Sequence, residues 1–408
     1  MAKPESCNAE PEHGSGLGKW VSKHLKFSIA NFQFKICNAS QSFHSSNPPT
    51  GPLRFSKLQR ASTYRNERGA EPRSSFLNLP FVLCRLSFVL RLACIFARRC
   101  VSYSMPKTIR VQVPGSTSNL GAGFDALGLA VELYLQVAFH FDTRRTYILS
   151  THGEGAHEIA HSADHLILQT FQYACQELKH TPPHVALEIN NAIPLKRGLG
   201  SSGAAIVAGL LAAHAYFDHA LSQQQLLDFA NELEGHPENA SASLLGGLTV
   251  NGVHNSRVLC ERFAPPANWK AACFVPDLEI ATEDARRVLP ASLSRAHAIG
   301  NSQSAAMMVA AFAKQNAALL EFAARDYLHQ PFRKVLIPGF DDILAAAMRA
   351  EAYCAFLSGS GSTMLAIAED KHAEEISNTM AAAARMHGLS GRPMTLAFCT
   401  QAAQYEVI

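Results

Sequence analysis

Ile193-Pro-Leu-Lys-Arg-Gly-Leu-Gly-Ser-Ser-Gly-Ala-Ala205 runs a glycine and serine loop straight into an alanine-rich apolar segment that reads as a helix. Gly198, Gly200 and Gly203 let the backbone come close to an anion. Ser201 and Ser202 stand where that helix opens, with unpaired amides and the positive end of its dipole. Charge-assisted hydrogen bonds from such amides contribute roughly 1.5 to 3 kcal/mol each, so a few of them could hold a triphosphate. The spacing is not Gly-x-x-x-x-Gly-Lys-Ser/Thr, and no strand with a ribose-binding acid frames a dinucleotide site. The stretch reads as a phosphate loop of another kind, with a glycine turn that merely caps a buried helix as the bland alternative.

Outward from the loop, strands and helices are mixed. Ile109 to Val113 and Leu127 to Phe141 alternate as strands do, while Ala163 to Leu178 and Ala204 to Phe217 read as helices. Gln223 to Glu234 is an amphipathic helix ending at Gly235. Further on, the pattern predicts strands over Ala271 to Val275, Tyr353 to Leu357 and Thr363 to Ala368. Helices are predicted over Glu283 to Val288, Ser302 to Ala313 and Ala373 to Met386. These elements do not alternate in single-helix crossovers, so an α+β fold is favoured over a doubly wound sheet. Pro265-Pro266 marks a boundary between Arg262 and Asn268, giving domains over 105–264 and 265–408.

Charge divides the chain. Residues 1–104 hold 15 Lys and Arg against 5 acids, with no Asp; the remainder holds 21 against 28, so the overall +3 describes the leader rather than the body. A nucleic-acid reading built on net charge is therefore misplaced. The leader is Ser-rich and Arg-rich without sustained periodicity, as expected of a disordered segment. Its apolar stretch from Phe76 to Phe96 is broken by Arg85 and Arg91, too short a run to span a bilayer, so no membrane partner is expected of the body. Three readings stay open for it: a targeting segment, a membrane-surface anchor, or a mis-assigned start with Met105 as the working one. Ten cysteines, five in the leader and five scattered singly, form no Cys-x-x-Cys pair, which points to a reducing, cytoplasmic setting. His157-Glu-Ile-Ala-His161 matches a zinc pattern on paper, but it follows Gly153 and Gly155 without a third ligand and reads as a chance match on an exposed turn.

Two further segments share the composition of the central loop. They are Val113-Pro-Gly-Ser-Thr-Ser-Asn-Leu-Gly-Ala-Gly-Phe-Asp-Ala-Leu-Gly128 and Phe356-Leu-Ser-Gly-Ser-Gly-Ser-Thr363. Together the three resemble the motifs of the GHMP small-molecule kinases. Glu234-Gly-His-Pro-Glu-Asn239, Thr282-Glu-Asp-Ala-Arg-Arg-Val-Leu-Pro290 and His329-Gln-Pro-Phe-Arg-Lys-Val-Leu-Ile-Pro-Gly339 bring the resemblance close to the homoserine kinases, over residues 105–408. The match departs mildly from the commoner family form, with Gly203 for Ala, Glu238 for Asp and Ser362 for Pro.

The resemblance implies an N-terminal domain like ribosomal protein S5 domain 2 and a C-terminal ferredoxin-like domain. It implies ATP as cosubstrate, held by Pro194, Leu195, Lys196, Arg197, Gly198, Leu199, Gly200, Ser201, Ser202, Gly203 and Ala204. The Ser202 hydroxyl and the Glu234 carboxylate would hold Mg²⁺, an oxygen-seeking cation that keeps several waters; Glu232 competes with Glu234. The acceptor would be L-homoserine. Arg286 and Arg333 would grip its carboxylate, Asn119 and Asp125 would face its ammonium and hydroxyl, and His236 and Asn239 would complete the site, Asn239 orienting the hydroxyl. None of these is an obvious strong base, so direct attack of the hydroxyl on the γ-phosphate is expected, as a step in threonine biosynthesis. Dimers are common among similar enzymes. A relative acting on another small alcohol such as mevalonate, and a silent ligand sensor, are the alternatives.

Overall fold

The computed structural model describes residues 107–161 and 165–408; the readings of the leader and of Met105 as a start lie outside them. Ile109, Val111 and Val113 are buried while Arg110 is exposed, the period of two that gives a strand one apolar face. That strand, β1 (Thr108–Asn119), pairs antiparallel with β2 (Gly123–His140). Both run deeper into the first glycine-rich motif than its loop-like composition suggests. Ser116, Thr117 and Ser118 are buried and paired with Ala130, Leu129 and Gly128, because ladder bonds satisfy their backbone where water is excluded.

From β3 (Tyr147–Gly153) the chain passes through α1 (Ala156–His161) and α2 (Leu166–Glu177) to β4 (Ala186–Asn191), parallel to β3 and antiparallel to β2. The His-Glu-x-x-His segment is thus the short helix α1 rather than an exposed turn, with its two imidazoles stacked at 4.3 Å. α3 (Ser201–Tyr216) follows, buried along almost its whole length, as a helix apolar all round must be. α4 (Gln223–Glu234) opens on a capping box between Ser222 and Gln225 and stops at Gly235 in the left-handed region, the bounds its amphipathic pattern predicts. α5 (Glu238–Leu245) and the hairpin of β5 (Leu248–His254) and β6 (Arg257–Phe263) complete this half, β5 adding to β2.

The second sheet begins at β7 (Trp269–Pro276). After it come α6 (Thr282–Arg287), α7 (Arg295–Lys314), α8 (Leu320–Ala323), α9 (Gln330–Arg333), α10 (Phe340–Arg349), β8 (Cys354–Leu357), β9 (Met364–Glu369), α11 (Ala373–Met386) and β10 (Gly391–Ala397). Its order, β10-β7-β9-β8, all antiparallel, is a β-α-β-β-α-β arrangement of ferredoxin type. Along β7 the alternation is decisive: Ala272 and Phe274 face α10 and α11, while Ala271, Cys273 and Val275 join the core of the first half. The last strand, β11 (Gln404–Val407), returns to the first sheet beside β1. α7 starts two turns before the predicted Ser302, because the Ser294 hydroxyl accepts from the His297 amide and caps it. The fold is α+β.

Candidate active site

The three glycine-rich motifs are far apart in sequence and meet through their backbones. Leu199 accepts from the Ser116 amide (3.1 Å), Ser118 from the Gly359 amide (3.1 Å), and Arg197 from the Thr363 amide (3.1 Å). The Ser358 hydroxyl donates to the Gly198 carbonyl (2.6 Å) and lies 2.8 Å from Thr117 Oγ1. Gly198 (φ 75°) and Gly200 (φ 74°) make this possible. A methyl group on Gly198 would land on the Ser358 carbonyl oxygen, and one on Gly200 on the Ser116 hydroxyl. The Gly198→Ala protein should therefore lose about 2 to 3 kcal/mol, read as a melting temperature lower by about 5 °C or more. An unchanged melting temperature would show that the loop does not depend on this contact.

Gly200 is the N-cap of α3 and offers no side chain, so among the described residues no N-cap side chain accepts from the amides of the first turn. They open onto a cavity of about 430 Å³ lined by Ser118, Asn119, Phe124, Asp125, Gly198, Gly200, Ser201, Ser202, His236, Glu238, Asn239, Arg286 and Arg333. Pro194, Leu195, Lys196 and Arg197 also reach it. Within the predicted loop the roles divide. Leu199 and Ala204 are fully buried. Gly203 lies inside α3, where a Cβ would stand 3.1 Å from the Asn239 Cβ and 3.1 Å from Glu234 Oε2, so its smallness serves helix packing rather than approach to an anion. The Arg197 guanidinium turns away from the amides and holds the carbonyls of Leu195, Pro276 and Asp277. Lys196 pairs with Glu279 (3.2 Å) and Glu158 (3.5 Å).

At the start of α3 the Ser202 hydroxyl donates to Glu234 Oε1 (2.7 Å), while Glu234 Oε2 is shut off from solvent and has no hydrogen-bond partner. Burial pushes this carboxyl up to about 7. An orphaned carboxylate oxygen beside a hydroxyl is a donor set that fits a hard divalent cation. Glu232 instead accepts from the Tyr173 hydroxyl (3.0 Å).

Deeper in the cavity charged groups of both signs face each other. Arg286 and Asp125 form a two-point pair (2.9 and 3.2 Å), so two predicted substrate ligands satisfy one another. Arg333, 2% exposed, donates to the carbonyls of Ala285 and Gly359 (both 3.0 Å); burial and the neighbouring Arg286 hold it down at about 10. Asn119 is fixed by the Gly359 carbonyl and the Asp125 amide. Burial opposes a charge on His236, but its pairing with Glu238 (3.1 Å) and the charges of Glu234 and Asp125 outweigh that and raise it to about 9. Asn239 donates to Ser118 Oγ (3.0 Å) and Glu238 Oε1 (3.2 Å) and accepts from the Ser116 hydroxyl. Both its amide hydrogens are thereby occupied.

Several lining residues carry no sequence-predicted role, Glu238, Phe124 and His165 among them. Glu238, 2% exposed, keeps an unpartnered Oε2; its place next to His236 and Asn239 in the motif was the available signal. Phe124 stands beside Asp125 in the first motif. His165 closes the apolar end formed by Ile159, Leu166, Ile167 and Ile189. Among the described residues neither of its ring nitrogens has a hydrogen-bond partner, and burial lowers its pKa; a lone histidine before a helix gave no signal.

The description "GHMP kinases N terminal domain" matches residues 165–247, and "GHMP kinases C terminal" matches residues 308–385. The homoserine kinase of Desulfitobacterium hafniense is 37% identical over 295 residues, covering 72% of this chain and 99% of its own length. The chain belongs to the homoserine kinase family of GHMP kinases. A second member, from Nostoc punctiforme, is 36% identical over 306 residues, 74% of this chain and 99% of the relative. In three dimensions the crystal structure of homoserine kinase from Cytophaga hutchinsonii superposes with a TM-score of 0.67 at 26% identity, over 74% of this chain and 98% of that one. The two family matches take in the second and third glycine-rich motifs, whose backbones meet that of the first at the cavity.

Proposed function

We propose that the protein transfers the γ-phosphate of ATP to the side-chain hydroxyl of L-homoserine, giving O-phospho-L-homoserine in threonine biosynthesis. Beyond family membership, the observation that carries the acceptor is the facing pair of Asp125 and Arg286 with the buried Arg333 beside them. A zwitterion has one group for each sign. Its carboxylate can replace Asp125 on Arg286 and reach Arg333, and its ammonium can take the carboxylate that Asp125 gives up.

The uncapped first turn of α3 would receive the triphosphate, with its dipole and free amides. The apolar end of the cavity suits the base, with His165, kept neutral by burial, offering it one donor and one acceptor. Ser202 and Glu234 are the residues that would hold Mg²⁺, which when bound neutralises charge on the phosphates. Asn239, locked by Ser116, Ser118 and Glu238, is a rigid part of the floor on which the acceptor rests. The free Glu238 Oε2 offers lone pairs to the hydroxyl or the ammonium. The hydroxyl attacks the γ-phosphorus, its O–P bond forms as the bond to ADP breaks, and the proton leaves to phosphate, solvent or this carboxylate. Catalysis of this kind rests on positioning and charge complementarity.

No helix among the described residues is long and apolar enough to cross a membrane. Cys175, Cys260, Cys273, Cys354 and Cys399 are free, which supports our placing the reaction in the reducing cytoplasm. ADP release measured with L-homoserine, mevalonate, shikimate and galactose separately tests the assignment. Turnover with L-homoserine should exceed the others by at least about a hundredfold, the scale on which unpaired buried polar groups discriminate. Turnover with mevalonate alone would move the protein to another branch of the superfamily, and nucleotide binding without turnover would favour a sensor.

A further inference from the structure

Phe124 stands on the cavity wall, half-buried, at the start of β2. Three groups gather on its ring. The Arg286 guanidinium carbon lies 5.4 Å from the ring centroid and that of Arg333 5.2 Å, while the His329 imidazole sits at 5.3 Å, tilted by 34°. Both arginines are thus within the reach at which an aromatic ring attracts a cation. They come from α6 and α9, separate elements with no hydrogen bond between the two guanidiniums among the described residues. As like charges they repel, and Arg286 contributes to lowering Arg333.

The carboxylates of Asp125, Asp326 and Glu238 attract Arg333 as well, Asp125 being shared with Arg286. Arg333 is fixed by two carbonyls, and Arg286 by Asp125 in a pair whose side chains are 38% and 34% exposed. A carboxylate at position 124 would also gather the two cations, but it would neutralise them and compete with an acidic ligand. An aliphatic side chain would fill the volume and leave the repulsion opposed only by the carboxylates of Asp125, Asp326 and Glu238. An aromatic ring presents negative potential without a formal charge, so it attracts both guanidiniums and leaves their N–H groups free to donate. We propose that Phe124 is a positioning residue that holds Arg286 and Arg333 on one platform, so that a single acceptor carboxylate can engage both. This role rests on the reading of the cavity as the pocket of an amino-acid alcohol.

The test compares L-homoserine with aminopropanol, the same molecule without its carboxylate, in the full chain and in Phe124→Leu and Phe124→Tyr. Affinities are read by calorimetry, and KM for ATP is followed in parallel. In Phe124→Leu the preference for homoserine over aminopropanol should shrink by about tenfold, the size of two partly desolvated cation–ring contacts. Phe124→Tyr, which keeps the ring, should restore most of it, and KM for ATP should stay within about twofold. An equal loss of affinity for both compounds, or a parallel rise in KM for ATP, would mean that the residue only fills space and would overturn the proposal. Equal binding of the two compounds by the unaltered protein would instead overturn the acceptor assignment, and this role with it.

Discussion

Replacing Glu234 by alanine should lower kcat by about three orders of magnitude, the upper range for removal of one preorganised electrostatic group, while leaving the melting temperature unchanged or higher. The two halves of this expectation have one cause. Among the described residues Glu234 Oε2 is closed off from solvent without a hydrogen-bond partner, and Oε1 accepts from the Ser202 hydroxyl alone. A buried carboxylate with empty lone pairs costs the fold stability, and under the proposed function a cation bound beside Ser202 would satisfy it. The pH dependence follows from the raised pKa. In the cation-free protein the group favours folding below its unfolded value of 4.5, and that contribution is lost as pH climbs through about 7. Bound Mg²⁺ would take over where the proton leaves. It should raise the melting temperature more at pH 8 than at pH 5 in the unaltered protein, and by little at either pH in Glu234→Gln. An equal Mg²⁺ shift in that variant would place the cation elsewhere.

The conformation of the glycine and serine loop was legible because it depends on local rules. Glycine at positive φ and a helix opening without a cap are written in residues 198–203. So were the amphipathic bounds of α4, capped at both ends by its own neighbours. What sequence could not give is where side chains turn once the elements pack. Arg197 and Lys196 look like phosphate ligands in a linear reading, yet the carbonyls at the end of β7 and the acids Glu158 and Glu279 claim them. Asp125 and Arg286 were readable one by one as substrate groups, but not as partners across 161 positions. The serines of the first motif look like loop residues because polarity dominates local statistics, whereas burial between β2 and the third motif makes them strand. His165 was silent for the opposite reason: its role comes entirely from the apolar wall that α2 and β4 build around it.

Arg333→Lys should raise KM for L-homoserine about a hundredfold and leave KM for ATP nearly unchanged, whereas Arg286→Ala should raise it only about tenfold. The ranking follows from burial. Arg286 lies 38% exposed on the side chain and is already paired with Asp125. Water and that carboxylate moderate whatever it gains from a ligand, and exposed ion pairs are worth roughly 1 kcal/mol or less. Arg333 is 2% exposed, with Nε on the Ala285 carbonyl and Nη1 on the Gly359 carbonyl, and Nη2 has no hydrogen-bond partner among the described residues. A carboxylate arriving there meets a charged donor in a dry setting, where losing one member of the pair costs about 2 to 5 kcal/mol. Lysine keeps the charge but cannot span both carbonyls and also present a free N–H, because its ammonium is a point rather than a planar fork. Steady-state kinetics on the two variants decide the matter: an equal effect at the two arginines would mean that the acceptor carboxylate sits at the solvent edge beside Arg286, and that Arg333 serves only to tie α6 to the Gly359 turn.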